Sequence, residues 1–137
     1  MIADSLKPES EAINNNIGIA LELQEKYTEA LLYYDIALRI NKKYSEAYFN
    51  KGRTYEKLKM FDYAKLYYQK VTEINPGDKG VYVVMAMLYE DTGQLDSAII
   101  MQTSAINIDT NDQDLYYFRA IDYDKIKEYN LAIQDYN

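Results

Sequence analysis

Apolar and small residues follow one another along this chain at the spacing of amphipathic helices. Tyr48, Gly52 and Tyr55 are separated by four and then three residues, and the segment beginning at Phe61 has a stripe of the same kind. Such intervals place side chains on one face of an α-helix. Short polar stretches between the stripes predict turns. The pattern predicts eight helices, at residues 11–24, 27–40, 45–58, 61–74, 79–91, 95–108, 113–126 and 129–137.

The whole pattern returns every 34 residues. One series of aromatic residues at this spacing is Tyr48, Tyr82 and Tyr116. Two series of small residues run beside it: Gly18, Gly52, Ala86 and Ala120 in the first helices, and Ala30, Ala64, Ala98 and Ala132 in the second helices. A fixed period of this length is typical of stacked helical hairpins. We expect the small residues to let the two helix backbones of each hairpin approach closely.

The segment from Tyr48 to Pro76 resembles the tetratricopeptide repeat family. The residues that match the family pattern are Tyr48, Gly52, Tyr55, Ala64, Tyr68 and Pro76. The resemblance covers about residues 11–137. It implies an all-α fold, a right-handed superhelical solenoid of antiparallel helix pairs built from about four repeats.

The period also predicts the limits of each repeat. Repeats are expected at residues 11–44, 45–78, 79–112 and 113–137, and the fourth stops within its second helix. Residues 1–10 are similar to the tail of a preceding repeat. Because the ends of such arrays normally carry a polar cap, we expect this chain to be a segment of a longer array.

Some positions depart from the family pattern. Asn14 stands where the first aromatic is expected, and Gln102 replaces a late aromatic. Lys51 and Arg119 replace a leucine. We expect these two basic side chains to lay their aliphatic stems along the helix and to hold their charges in water.

The composition excludes much enzyme chemistry. Among 137 residues there is no histidine and no cysteine, which excludes Ser-His-Asp and Cys-His nucleophiles and the usual zinc sites. Paired carboxylates occur at Glu90 with Asp91 and at Asp122 with Asp124. We interpret them as a solvated helix face, since acid–base catalysis would require something that raises one pKa. The sequence therefore predicts a protein that is not an enzyme, with no metal and no cofactor.

The net charge is −7, which disfavours binding to a nucleic-acid backbone or to an anionic membrane surface. The longest apolar run, from Gly80 to Tyr89, is too short to span a bilayer. We therefore expect a soluble protein without nucleic-acid partners or membrane insertion, and we take the cytoplasm as its expected compartment.

The family resemblance also implies where a partner binds. In this family the first helices of successive repeats line a concave groove that takes an extended peptide or a helix of another protein. The predicted groove residues here are Asn15, Asn16, Ile19, Phe49, Asn50, Arg53, Val83, Val84, Met87, Tyr117, Phe118 and Ile121. Asn50 matches a place where many peptide-binding members hold an asparagine, and such an amide can donate to and accept from a ligand backbone.

The charge around the groove indicates the kind of partner. Acidic rim residues are predicted at Glu22, Glu46, Glu56, Glu90, Asp91, Asp114 and Asp124, against Arg53, Lys57 and Lys125. We therefore expect a neutral or basic protein or peptide partner with an apolar face.

The sequence thus predicts a protein–protein interaction scaffold. Two other roles stay open: a docking or regulatory segment of a larger enzyme or complex, and a structural array that self-associates through its ends into a homo-oligomer. RNA binding by helical repeats is disfavoured by the negative charge.

Overall fold

A computed structural model describes residues 10–137 of the chain, so most of the predicted tail at 1–10 lies outside the described residues. The described residues form eight α-helices and no β-strand. The helices are α1 (Glu11–Leu23), α2 (Tyr27–Ile40), α3 (Ser45–Lys57), α4 (Phe61–Ile74), α5 (Lys79–Asp91), α6 (Leu95–Ile108), α7 (Gln113–Lys125) and α8 (Tyr129–Tyr136). All eight predicted helices are confirmed, with each boundary within one residue of the expected one.

The helices group into two compact units, each made of two helical hairpins. The first unit ends at Asn75 and contains α1 to α4, and the second begins at Pro76 and contains α5 to α8. Within a unit, consecutive helices pack in pairs, and the contacts of α2 with α3 and of α6 with α7 join the two hairpins. The all-α helical-repeat class is therefore confirmed.

A buried tyrosine ring fills each hairpin of the first unit. Tyr34 and Tyr68 are fully buried on the second helices. A Cβ atom added to Gly52 would lie 2.6 Å from Cε1 of Tyr68, and Gly18 has the same relation to Tyr34. We predicted that these glycines let two helix backbones approach each other. The atoms that an added Cβ meets first belong to the tyrosine rings, so the rings limit the size of the residue at these positions, and the approach of the backbones stays a prediction.

The second unit lacks this contact. Ala86 and Ala120 stand at the glycine positions. The residue at the tyrosine position is Gln102 in the third repeat, and in the fourth it is Tyr136, which is 47% exposed. Neither Gln102 nor Tyr136 is a fully buried ring, so the methyl group of an alanine fits on the facing first helix. Glycine therefore occurs where the ring is fully buried, and alanine where it is not.

Each first helix ends in the same left-handed turn. The residues that adopt it have φ between 58° and 75° and follow one another at the 34-residue period: Glu25, Lys59, Gly93 and Lys127. At the end of α3, the N–H of Lys59 donates to the carbonyl of Glu56 at 2.8 Å, and the N–H of Met60 donates to that of Tyr55 at 2.9 Å. This pair of hydrogen bonds is the Schellman motif, which usually has glycine at the left-handed position. Three of the four repeats thus place a side chain in a conformation that costs about 1–2 kcal/mol without glycine.

We expect Gly52→Ala to lower the free energy of unfolding by about 1–3 kcal/mol, because the new methyl group overpacks against the buried ring of Tyr68. Urea denaturation followed by circular dichroism measures the change. Gly80→Ala is the matched control, since an added Cβ there meets only Asp78 Oδ1, at 3.3 Å. Equal losses at both positions would contradict the role given to the ring.

Lys59→Gly should raise the free energy of unfolding by about 0.5–1 kcal/mol, because glycine relieves the left-handed strain at some cost in chain entropy. Gly93→Ala in the equivalent turn should lower it by about 1 kcal/mol. Both changes are read from urea midpoints. A loss of stability in Lys59→Gly would show that the lysine side chain makes a stabilising contact that outweighs the strain.

Candidate interaction face

A hydrogen bond from the second helix to a residue in the last turn of the first helix recurs in all four repeats. The acceptor is always a carboxylate, and the donor lies 12 residues later. The pairs are Glu22 with Tyr34 at 2.9 Å, Glu56 with Tyr68, Glu90 with Gln102 at 2.9 Å, and Asp124 with Tyr136 at 2.9 Å. We predicted these carboxylates as rim residues of a groove. They also hold the hairpins together.

In the first unit, Glu22 lies at the centre of a polar network. Arg53 donates to it through Nε at 2.9 Å and Nη2 at 3.2 Å, and Thr54 Oγ1 donates at 3.1 Å. Burial raises the pKa of Glu22, but the hydrogen bonds from Arg53, Tyr34 and Thr54 outweigh it and leave the pKa below its ordinary value. The stabilisation is therefore present at neutral pH and is lost as the pH falls through that lowered pKa. The prediction that Glu22 is a rim residue is wrong, since it is 4% exposed.

The predicted polar part of the groove is mostly internal. Asn15 and Asn50 are buried, and Asn50 Nδ2 donates to Asn15 Oδ1 at 2.9 Å. Asn16 is exposed, whereas Ile19 and Phe49 are half-buried. Ile19 packs against the core of the first unit, and the Phe49 ring lies 5.4 Å from that of Tyr68. The contact of these residues with a ligand stays a prediction.

The predicted apolar part of the groove is open. On α5 and α7 of the second unit, Met87 is 58% exposed, Tyr117 54% and Phe118 52%. We call these three residues, with half-buried Val83, Val84 and Ile121, the apolar face. Val83 also packs against the core of its unit. An open depression of about 590 Å³ between α7 and α8 shares Tyr117 with this face.

Two carboxyl groups share one polar site in the second unit. Gln102 Nε2 donates to Glu90 Oε1 at 2.9 Å and to Asp122 Oδ2 at 2.8 Å. Lys125 Nζ lies 3.2 Å from Asp122 Oδ1. Burial, followed by the charge of Asp122 and a hydrogen bond with it, raises the pKa of Glu90 to about 6. The prediction that Asp122 belongs to a solvated face is wrong, because it is 1% exposed.

The two basic residues at the leucine positions form ion pairs. Lys51 Nζ lies 2.6 Å from Asp35 Oδ1 and 4.2 Å from the centre of the Tyr67 ring, and its side chain is 8% exposed. Arg119 makes a two-pronged contact with Asp135, at 2.7 Å on each side. The prediction that they hold their charges in water is wrong. Each of the two positive charges is paired with a carboxylate on a second helix of the same unit.

No group of three or more acidic side chains within residues 10–137 is arranged to hold a metal ion. In the same part of the chain, no helix has both the length and the apolar character needed to cross a membrane.

The geometry defines a helical-repeat protein with paired first and second helices. Models of the tetratricopeptide repeat match residues 45–78 and 80–112. Residues 45–112 therefore contain two tetratricopeptide repeats.

Known proteins share parts of the sequence or the fold. Over 47 residues, 34% of this chain, the sequence is 47% identical to Protein O-mannosyl-transferase Tmtc3 of Drosophila melanogaster, and the match spans about 5% of the length of that relative. A crystal structure of MamA has a TM-score of 0.83 at 16% identity, with 96% of this chain and 77% of that chain covered. MamA 41-end from Desulfovibrio magneticus RS-1 has a TM-score of 0.75 at 19% identity, with 94% and 73% covered. At these identities the structural likeness shows the fold alone.

The raised pKa of Glu90 predicts a pH dependence. The folded chain holds this proton more tightly than the unfolded chain, so stability is lost as the pH rises from 4.5 through 6. We expect Glu90→Gln to raise the free energy of unfolding at pH 7 by about 1 kcal/mol, a figure reduced for partial exposure, and to change it little near pH 4. Urea denaturation at both pH values measures this. Asp91→Asn removes a neighbouring exposed charge as the control, and an equal gain for Glu90→Gln at both pH values would contradict the assignment.

Proposed function

We propose that this chain is a protein-interaction scaffold that holds a segment of a partner protein against its first helices. The two matches to the tetratricopeptide repeat support the scaffold role, and a crystal structure of MamA shares the fold. The observation that carries the location is the exposure of Met87, Tyr117 and Phe118, each more than half exposed on α5 or α7. Tyr117 and Phe118 adjoin each other, with ring centroids 6.0 Å apart, and adjoining exposed apolar side chains are typical of binding surfaces.

The apolar face supplies most of the binding free energy in this proposal. Aromatic side chains bury large areas at low cost in side-chain entropy, and they dominate the energetics of many interfaces. The partner segment presents an amphipathic surface, for which a helix or an extended peptide is suitable.

The first unit contributes a more polar surface to the same function. Asn16 is exposed, and the Arg53 side chain is 40% exposed although it is paired with Glu22. Asn15 and Asn50 have amide groups beyond the one hydrogen bond that joins them, and those groups are proposed to contact the partner backbone. Ile19 and Phe49 provide the half-buried apolar floor.

The partner is neutral or basic. The chain carries a net charge of −7, and Asp91, Asp114 and Asp124 are exposed on α5 and α7. Charge of this kind speeds the encounter with a basic segment more than it strengthens the complex.

Phe118→Ser should weaken the complex about tenfold, because it removes an exposed aromatic anchor from the apolar face. The partner is recovered by affinity capture and crosslinking, and its affinity for each purified variant is then measured by calorimetry. Ile100→Ser is the matched control, since Ile100 is 59% exposed on the second helix α6. A partner that binds Phe118→Ser as tightly as the wild type, or that loses affinity only with Ile100→Ser, would show that the apolar face is not the binding surface.

A second candidate is a docking or regulatory segment of a larger enzyme. The 47-residue match to a part of Protein O-mannosyl-transferase Tmtc3 is the observation that favours it. The coding sequence on both sides of this chain tests the idea, since a catalytic domain on the same polypeptide would support it. Self-association is tested separately, because it makes the mass in solution depend on concentration.

A further inference from the structure

The two units surround equivalent glutamates with different residues. Glu90 of the second unit lies 68 residues after Glu22 of the first. At the same offset, Ile121 stands in the place of Arg53 and Asp122 in the place of Thr54. At this site the second unit therefore has an additional carboxylate where the first unit has a guanidinium and a hydroxyl.

In the first unit, an arginine supplies hydrogen bonds to the carboxylate of Glu22. Arg53 places two nitrogens on the two oxygens of Glu22, at 2.9 Å and 3.2 Å. This side-by-side geometry is the strong form of the arginine–carboxylate contact.

In the second unit, the same site has acceptors without enough donors. Glu90 and the buried Asp122 share one amide nitrogen of Gln102. Gln102 is 3% exposed, and its carbonyl oxygen Oε1 has no hydrogen-bond partner among the residues that the structure describes. The nearby cation is Lys125, whose side chain is 50% exposed and donates to Asp122 Oδ1 at 3.2 Å, so within the described part of the chain the acceptors that still lack donors belong to Glu90 and Gln102. A buried acceptor without a donor is costly, so the site favours a ligand that brings several donors.

We propose that an arginine of the bound partner segment donates to half-buried Glu90 on the second unit, as Arg53 donates to Glu22 on the first, and that the charge of the buried Asp122 beside Glu90 strengthens the attraction. The proposal rests on the function proposed above, since it makes this arginine part of the segment on the apolar face. Met87 and Ile121 belong to that face, and they lie close in sequence to Glu90 and Asp122 respectively.

Arginine suits this site better than lysine. The guanidinium is planar and carries five N–H donors in a fixed arrangement, whereas the lysine ammonium is a compact, strongly hydrated charge. Its aliphatic stem also packs on apolar side chains such as those of Met87 and Ile121.

The first experiment selects binders from a library of displayed random peptides on the wild-type protein and on two variants. Glu90→Gln removes one of the two carboxylates, and Asp91→Asn removes the same charge from the exposed neighbouring position. We expect arginine to be enriched among peptides selected on the wild type and on Asp91→Asn, and the enrichment to disappear on Glu90→Gln. Because both variants have the same net charge, a general attraction of basic peptides to an acidic protein does not produce this difference.

The second experiment replaces the arginine of a selected peptide by citrulline, which has the same shape without the charge. We expect the arginine peptide to bind the wild type at least about tenfold more tightly, and this preference to fall to near unity on Glu90→Gln. A lysine version of the peptide should bind between the other two.

A third measurement uses the wild type alone and does not depend on how any variant folds. Glu90 faces Asp122, Lys125 and Asp91. A guanidinium added to this group of charges favours the ionised carboxylate, so binding of the arginine peptide near pH 6 should release protons. Calorimetry in buffers with different heats of ionisation counts them, and the citrulline peptide should release fewer.

The outcomes separate the two proposals. Selected peptides that bind the apolar face without a preference for arginine, or with one that survives Glu90→Gln, overturn this inference and leave the proposed groove standing. Equal proton release by the arginine and citrulline peptides also overturns it. If the wild type selects no peptide and Phe118→Ser does not weaken binding of the captured partner, both proposals fail.

Discussion

A buried carboxylate such as Glu22 is tolerated only when donors surround it, and a carboxylate–donor bond at the same place recurs in every repeat, as far as the exposed Asp124 of the fourth. The last turn of each first helix holds a carboxylate, and a side chain 12 residues later on the second helix donates to it. Where that donor is a buried tyrosine, its ring occupies the space beside a glycine, as at Tyr68 and Gly52. Burial of the tyrosine ring then decides the size of the residue that faces it on the first helix. The bond between carboxylate and donor joins the first and second helices of each hairpin.

The same arrangement of helices places different charged and polar groups around the equivalent glutamates of the two units. In the first, the fork of Arg53 and the hydroxyl of Thr54 satisfy Glu22. In the second, Asp122 at the threonine position brings a further negative charge to Glu90, and a single glutamine nitrogen is shared between them. Burial and this second carboxylate raise the pKa of Glu90 to about 6. In the first unit Arg53 neutralises Glu22, whereas in the second the half-exposed Lys125 pairs with Asp122 and, among the described residues, no arginine stands beside Glu90.

The two units also differ in which polar and apolar side chains they expose. The asparagines and basic residues of the first unit are used mainly within the protein, as in the bond of Asn50 to Asn15 and the ion pair of Lys51 with Asp35. A satisfied polar network of this kind fixes local geometry and leaves few free groups for a ligand. The exposed aromatic residues of α7 belong to the second unit, which also holds the Gln102 oxygen that is unpaired within residues 10–137. Apolar contact and charge complementarity therefore coincide in that unit, which concentrates the proposed binding there.

The sequence by itself determined the eight helices, the 34-residue period and the resemblance to the tetratricopeptide repeat, because helical periodicity is a local property that each segment expresses alone. Among the predicted groove residues, Met87, Tyr117 and Phe118 are more than half exposed, whereas Asn15 and Asn50 are buried. Only the tertiary structure decided which polar residues are buried and which partners they have. Glu22, Asp122 and Lys51 read as surface charges, yet each is covered by a neighbouring helix that brings its partner. Which helix covers a charged side chain depends on contacts between residues distant in sequence. The period alone does not specify those contacts, although the 12-residue spacing between carboxylate and donor was visible in the chain.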